Sequence, residues 1–102
     1  MYIYFMTCSS DPMMIKIGKS ASPESRLKTL QVGNPHQLEI LATLKCKGVL
    51  HAEYLELQAH KYFAFSYVRG EWFKFDEKIR RKVEKWILRH ATNTYGDYAG
   101  DV

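Results

Sequence analysis

Residues 2–6 read YIYFM and residues 14–18 read MIKIG, two short runs rich in β-branched, aromatic and other apolar side chains. The stretch between them contains Ser, Asp and Pro, which favour a turn, so the two runs predict a β-hairpin with a long connecting loop. Alternate side chains of a strand point to opposite faces of the sheet. If the Ile and Phe side chains form the core face, Tyr4 and Lys16 share the opposite one.

A helix is predicted directly after the hairpin. Ser22 is a suitable N-cap, and Pro23 fits the first helical position, where its missing N–H is not needed. Leu27 and Leu30 have helical spacing, and we expect both to be buried. Gly33 is expected to end the helix.

The rest of the chain alternates between extended and helical patterns. Residues 38–46 alternate apolar and polar positions and predict a third strand, while residues 50–65 are long enough for a second helix. Residues 71–75 form a short aromatic extended piece, and a last helix is expected from Asp76. The order predicts an α+β domain: a small three-stranded antiparallel sheet flanked by helices, β-β-α-β-α plus a C-terminal helix.

The length and composition fit one small globular domain. The chain has 102 residues, of which 46% are hydrophobic and 25% charged. We expect the domain to span residues 1–92, with residues 93–102 as a flexible polar tail. The sequence shows neither a membrane-spanning run nor a signal peptide, which predicts a cytoplasmic protein, and we expect Cys8 and Cys46 to be thiols.

The formal net charge is +4, and residues 76–92 contribute three of these charges through six basic and three acidic residues. This excess permits a polyanionic partner without requiring one. A basic helix face that could follow a DNA backbone consists of Arg81, Lys82, Lys85 and Arg89. The alternative is an ordinary solvated face of an amphipathic helix.

Two charged side chains lie on or beside apolar helix stripes. Glu56 falls within the apolar stripe of the second predicted helix, and burying its carboxylate would require an Arg, a hydrogen-bond donor or a metal ion as partner. The alternative is that Glu56 lies at the edge of the stripe and reaches water. Arg26 borders the buried face of the first helix and is either a functional group or a solvated edge residue.

Tyr4 and Lys16 form a candidate pair on the hairpin. An ammonium beside the phenol would favour the phenolate and lower the pKa of Tyr4, which is one way to make a general base. The alternative is a cross-strand contact on a hydrated face.

Several of these features occur in one order along residues 2–75. The stretches are YIY at 2–4, KIG at 16–18, RLKTLQ at 26–31, a helix with Ala52, Leu55, Glu56, His60 and Phe63, and GEWF at 70–73. Together they resemble the GIY-YIG nuclease superfamily, and more closely its small phage and bacterial branch, in which KIG stands in place of YIG. The resemblance covers about three quarters of the chain.

The resemblance implies a metal-dependent DNA endonuclease with four catalytic residues. Glu56 matches the carboxylate that holds a single divalent ion, Mg²⁺ or Mn²⁺. Tyr4 matches the tyrosine that activates the attacking water, with Lys16 as its partner. Arg26 matches the arginine that neutralises the phosphate in the transition state.

The resemblance also implies nucleic-acid contacts at Gly18, Lys19, Lys28 and His60, beside the basic face of the last helix. The alternative for His60 is an ordinary residue on the face of its helix. Two departures are visible: Tyr2 stands where the family name has Gly, and no Asn clearly matches the one that many relatives carry after the metal-binding Glu. Glu71 lies in that part of the chain.

Two other functions are compatible with the same sequence. The chain is either this nuclease or a non-catalytic nucleic-acid-binding or regulatory module with the same fold, and a plain interaction domain is a third interpretation. A nuclease this small would depend on a homodimer, a partner protein or a special DNA shape for its specificity.

Overall fold

A computed structural model, which describes residues 1–8 and 13–94 and the side chains up to residue 91, places the described strands in one five-stranded sheet. The strands lie in the order β3-β1-β2-β5-β4, and all the neighbouring pairs are antiparallel. The elements in chain order are β1 (Tyr2–Cys8), β2 (Met14–Ser20), α1 (Pro23–Gln31), β3 (Leu38–Lys45), α2 (Val49–Tyr62), a 3₁₀ turn (Ala64–Ser66), β4 (Tyr67–Arg69), β5 (Trp72–Lys74) and α3 (Glu77–Thr94).

The predicted α+β class is confirmed, but the sheet built by the described residues has five strands instead of three. Strands β4 and β5 have three residues each, too few for the alternation of apolar and polar side chains to be recognised. The turn between them contains Gly70 at φ 57°, in the left-handed region that favours glycine. Helix α2 accordingly ends at Tyr62, before residue 65, and the chain passes through the 3₁₀ turn into this hairpin.

The core lies on the Ile and Phe face of the hairpin, as expected. Ile3, Phe5, Ile15 and Ile17 are fully buried there. Helices α2 and α3 cover this face with a set of buried side chains: Ala52, Leu55, Ala59, Phe63, Ile79, Val83 and Trp86. The opposite face of β1 is buried too, since Tyr4 and Met6 are almost inaccessible to solvent.

Helix α1 begins as the sequence predicts. The Ser22 hydroxyl accepts the backbone N–H of Ser25 at 3.4 Å, and Gly33 has φ 75° just beyond the helix. The expectation that Leu27 and Leu30 are buried is wrong, since both are only half-buried. This nine-residue helix is short, and Pro23 is its one buried residue.

Three further predictions concern the rest of the chain. Cys8 and Cys46 are buried thiols. Helix α3 continues to Thr94, and the remainder of the predicted tail, residues 95–102, lies outside the described residues. Across the described ranges, no helix has both the length and the apolar character needed to cross a bilayer.

Candidate active site

Strand β2 organises the candidate site, because four consecutive residues, Lys16 to Lys19, each contact a polar group from another element. On β2, Lys16 and Gly18 lie on the face away from the core, and Ile17 and Lys19 lie on the other face. The contacts therefore form two groups that meet along this strand.

Tyr4 lies directly across from Gly18, which is its partner in the β1–β2 register. A Cβ atom on Gly18 would be 2.5 Å from the Tyr4 hydroxyl oxygen and 2.7 Å from Glu71 Oε1. Real Cβ atoms do not approach that closely, so the missing side chain of Gly18 makes room for both groups. Glycine is required here for close approach.

Glu71 joins the two candidate residues of the hairpin. Its Oε1 accepts a hydrogen bond from the Tyr4 hydroxyl at 3.4 Å and forms an ion pair with Lys16 Nζ at 3.2 Å. The Glu71 backbone is fixed as well, because its carbonyl accepts the Ile17 N–H at 3.0 Å. Lys16 also lies over the ring of Trp72, 5.3 Å from its centroid.

Burial raises the pKa of the Tyr4 hydroxyl above its ordinary value of 10.0, and the nearby Glu71 carboxylate adds to the increase. A hydrogen bond from Arg26 acts in the opposite direction but does not outweigh them. The expectation that Lys16 lowers the pKa of Tyr4 is therefore wrong. Its ammonium is paired with Glu71, and that carboxylate disfavours the phenolate.

Arg26 lies on α1 and is largely exposed, yet its guanidinium reaches the Tyr4 hydroxyl. An arginine can only donate hydrogen bonds, so the Tyr4 oxygen accepts from Arg26 while its own O–H is directed to Glu71. The sequence left open whether Arg26 was a solvated edge residue, and the structure places it beside Tyr4. Tyr4, Lys16, Arg26 and Glu71 thus form one contiguous group.

Glu56 lies on α2 and finds its partner in Lys19. The Glu56 Oε1 to Lys19 Nζ distance is 3.2 Å, and 17% of the Glu56 side chain remains exposed. Ala52 and Ala59, one turn before and after on the same helix, are fully buried, so Glu56 borders the core. Because Lys19 follows Gly18 directly, this ion pair is adjacent along β2 to the Tyr4 group.

His60 connects α2 to the backbone of β2. Its Nε2 lies 2.8 Å from the carbonyl oxygen of Ile17, which can only accept, so Nε2 carries the proton. The ring also packs edge-on against Phe73, with centroids 5.1 Å apart. These contacts hold the helix that carries Glu56 against the strand that carries Lys19.

The other predicted nucleic-acid contacts lie further away. Lys28 is exposed in the last turn of α1. Arg81, Lys85 and Arg89 are exposed on α3, whereas Lys82 is half-buried with its ammonium 5.6 Å from the centroid of the Phe65 ring. Helix α3 packs on the core face, so the structure does not bring this basic face together with Tyr4.

The donors available for a metal ion are few. In residues 1–8 and 13–94, no three His, Cys, Asp or Glu side chains gather closely enough to hold a metal ion together. The Glu56 carboxylate, once released from Lys19, could hold a hard cation such as Mg²⁺, which commonly binds one or two carboxylates and keeps several waters.

A comparison with protein families matches residues 1–90 to the T5orf172 domain. The chain belongs to the T5orf172 domain family. This phage-associated domain is related to nuclease folds of the GIY-YIG and HNH type. Neither a curated protein nor a solved structure matches the chain significantly.

One member of the site in this T5orf172 domain was not among the predicted site residues. Glu71 contacts both Tyr4 and Lys16, but the sequence offered no periodicity or spacing to connect it with them. The only signal was its place in the GEWF stretch, directly before β5. Residues next to a three-residue strand can be assigned to a site only once the pairing of that strand with β2 is known.

Proposed function

We propose that this T5orf172 domain is a divalent-metal-dependent DNA endonuclease that hydrolyses phosphodiester bonds at a GIY-YIG-type site. The observation that carries the proposal is the meeting of the two groups along β2. Tyr4 and Glu71 lie against Gly18, Arg26 and Lys16 contact these two residues, and the Lys19–Glu56 pair begins one residue later. The relation of the domain family to nuclease folds supports the same function.

The cationic side chains of the site suit a phosphodiester. Arg26 is largely exposed and presents a planar fork of donors that matches two phosphate oxygens. Lys19 is one third exposed, so its ammonium can leave Glu56 for a phosphate when DNA binds. Lys28 and the Gly18 backbone would extend this track, and His60 would hold α2 in place at its edge.

Glu56 would hold one Mg²⁺ or Mn²⁺ ion together with water and phosphate oxygens. Such an ion supplies Lewis-acid stabilisation of the negative charge that develops on the phosphate. Tyr4, with Lys16 and Glu71 behind it, would orient the attacking water and take up its proton. Arg26 stabilises the same charge from the protein side.

The basic face of α3 is a candidate for nonspecific contacts with the DNA backbone beyond the reacting phosphate. Because α3 lies on the core face, DNA that contacts both the basic face of α3 and the Tyr4 group would have to pass around the edge of the sheet. A homodimer or a partner protein would be an alternative source of additional binding surface.

The test is cleavage of supercoiled plasmid by the wild type and by Glu56→Ala, each with Mg²⁺, Mn²⁺ or EDTA. The matched control is Glu53→Ala, which removes an exposed carboxylate from the preceding turn of the same helix. We expect metal-dependent nicking by the wild type and the control, and its loss in Glu56→Ala. Nicking by Glu56→Ala at the wild-type rate would refute the assignment of the metal site.

One observation favours a second function, a nucleic-acid-binding module that does not cleave. The Glu56 carboxylate is already neutralised by Lys19, so the protein can be stable without a metal ion. Binding of DNA that depends on salt, with no nicking in any metal, would support this function.

A further inference from the structure

Glu71 occupies a position that the proposed catalytic residues do not account for. Its carboxylate lies on the turn between β4 and β5, faces Tyr4 and Lys16, and uses the space that Gly18 leaves open. Its side chain is 36% exposed, so one side of the carboxylate meets solvent while the other meets the buried phenol. A group in this position can exchange a proton with both.

We propose that Glu71 is the final acceptor of the proton from the attacking water, which reaches it through the Tyr4 hydroxyl. This inference rests on the proposed nuclease function. It changes the role of Tyr4 from a base that must first ionise to a relay that stays neutral. Glu71 acts through Tyr4 and is therefore a positioning and proton-accepting residue, not one that touches the substrate.

The hydrogen-bond directions around Tyr4 favour this relay. Its O–H points to Glu71 and its oxygen accepts from Arg26, which leaves the second lone pair of the oxygen for the proton of a water. A phenolate would be disfavoured here, because burial and the carboxylate both raise the pKa of Tyr4. Handing the proton on to a carboxylate avoids forming the phenolate at neutral pH.

The step balances without any further reactant. An O–H bond of the water breaks, and its proton goes to the Tyr4 oxygen while the Tyr4 O–H proton moves to Glu71 Oε1. The water oxygen keeps the electron pair and forms the new P–O bond. The bond from phosphorus to the leaving oxygen breaks, that oxygen takes a proton from solvent, and Glu71 releases its proton to solvent through its exposed side.

Two contacts hold Glu71 ready for this role. The ion pair with Lys16 fixes the carboxylate beside Tyr4, and the hydrogen bond from the Ile17 N–H fixes the Glu71 backbone. Lys16 thus serves the reaction by positioning Glu71.

The experiment measures single-turnover plasmid nicking between pH 6 and 10 by the wild type, by Glu71→Gln and by the control Glu39→Gln, an exposed carboxylate on β3. Gln keeps the shape and can hold the Tyr4 hydrogen bond but takes no proton. We expect wild type and control to vary little with pH. Glu71→Gln should be slower by about 10²-fold near neutral pH, as for loss of general-base assistance. Its rate should rise with pH as Tyr4 ionises.

The outcomes separate this inference from the nuclease function. If the wild type nicks and Glu71→Gln has the same rate and profile, the relay is wrong and the nuclease stands. An equal loss at every pH also overturns the relay, because it indicates a structural role only. If the wild type nicks nothing, both fail.

A spectroscopic readout checks the contact without relying on activity. Ultraviolet titration of the phenols, with Tyr4→Phe subtracted to isolate Tyr4, should show its ionisation at lower pH in Glu71→Gln than in the wild type. An unchanged Tyr4 titration would mean that the two groups are not in contact in solution, and the relay would be overturned.

Discussion

Gly18→Ala is the substitution that most directly tests the geometry of the candidate site. The added Cβ would lie 2.5 Å from the Tyr4 hydroxyl oxygen and 2.7 Å from both Tyr4 Cζ and Glu71 Oε1. Ordinary contact begins near 3.4 Å, so the Tyr4 oxygen must retreat by about 0.9 Å. Glu71 can swing toward solvent, but Tyr4 is 1% exposed and has little free space.

The structure sets the size of the expected effect. Forcing an extra carbon into a packed region costs roughly 1–3 kcal/mol of unfolding free energy. Each kcal/mol lowers the melting temperature of a domain of this size by about 4–8 °C. A displacement of nearly 1 Å at a reacting group can cost on the order of 10²-fold in rate, so the nicking rate should fall more visibly than stability.

The assay combines thermal unfolding with single-turnover nicking. The matched control is Gly48→Ala, because no atom lies within 4 Å of the added Cβ and the backbone is extended at φ 174°. Gly48 is the N-cap of α2, so we expect a loss of only about 0.5 kcal/mol there and no change in rate. In a Tyr4→Leu background both contacts of the added Cβ with Tyr4, at the hydroxyl oxygen and at Cζ, disappear, and the cost of Gly18→Ala should shrink.

Either of two results would refute this reasoning. One is a Gly18→Ala protein with the stability and rate of the wild type, which would mean that Tyr4 does not lie over Gly18. The other is the same unfolding penalty in the wild-type and the Tyr4→Leu backgrounds, because the two changes would then be independent.

Three more predictions follow from charge and protonation. Burial is the main cause that lowers the pKa of His51 below 6.5, with smaller contributions from the charges of Lys47 and His90, and the His51 Nδ1 accepts the Lys47 N–H at 3.0 Å. The unfolding free energy should therefore decline as pH falls below 6.5. Urea titrations at several pH values should show a smaller decline for His51→Gln than for the wild type. The raised pKa of Tyr4 has the opposite effect on stability, because the contribution of the neutral phenol is fully present below pH 10.0 and is lost as pH rises through the pKa of the folded state. The melting temperature of Tyr4→Phe should therefore fall less than that of the wild type from pH 9 upward. If the basic face of α3 contacts DNA, Lys85→Gln with Arg89→Gln should reduce the slope of log affinity against log salt by about 1.8, whereas Lys74→Gln on β5 should leave it unchanged.

The hairpin and its faces could be predicted from sequence because alternation on a strand is a local property. Tyr4 and Lys16 were placed on the same face by that rule alone, and the Ser22 N-cap by an equally local hydrogen bond. The partner of Glu56 could not be predicted, since Lys19 lies 37 residues away and meets it only after α2 packs on the sheet. Burial of a carboxylate requires a partner but does not identify it.

The pKa of Tyr4 shows the same limit in electrostatic terms. Lys16 alone suggested a decrease, but Glu71, 67 residues after Tyr4, supplies a carboxylate that neutralises the ammonium and adds its own charge. Strands β4 and β5, which bring Glu71 to this place, are too short to be found by periodicity. The missed strands and the wrong direction for the pKa of Tyr4 therefore have one cause, a small hairpin whose pairing is decided by tertiary contacts.

The placement of the polar groups on both faces of β2 has a consequence for how this domain can change over evolution. A single-residue insertion or deletion within β2 would exchange its two faces, turning Ile17 outward and Lys16 into the core. Unless a β-bulge absorbs the extra residue, such a change disrupts the core together with the candidate site. Point substitution at positions such as Tyr4, Arg26 or Glu56 would remove the proposed activity and leave the strand register intact. Inactive relatives of this domain should therefore keep the length of β2 and differ at individual side chains.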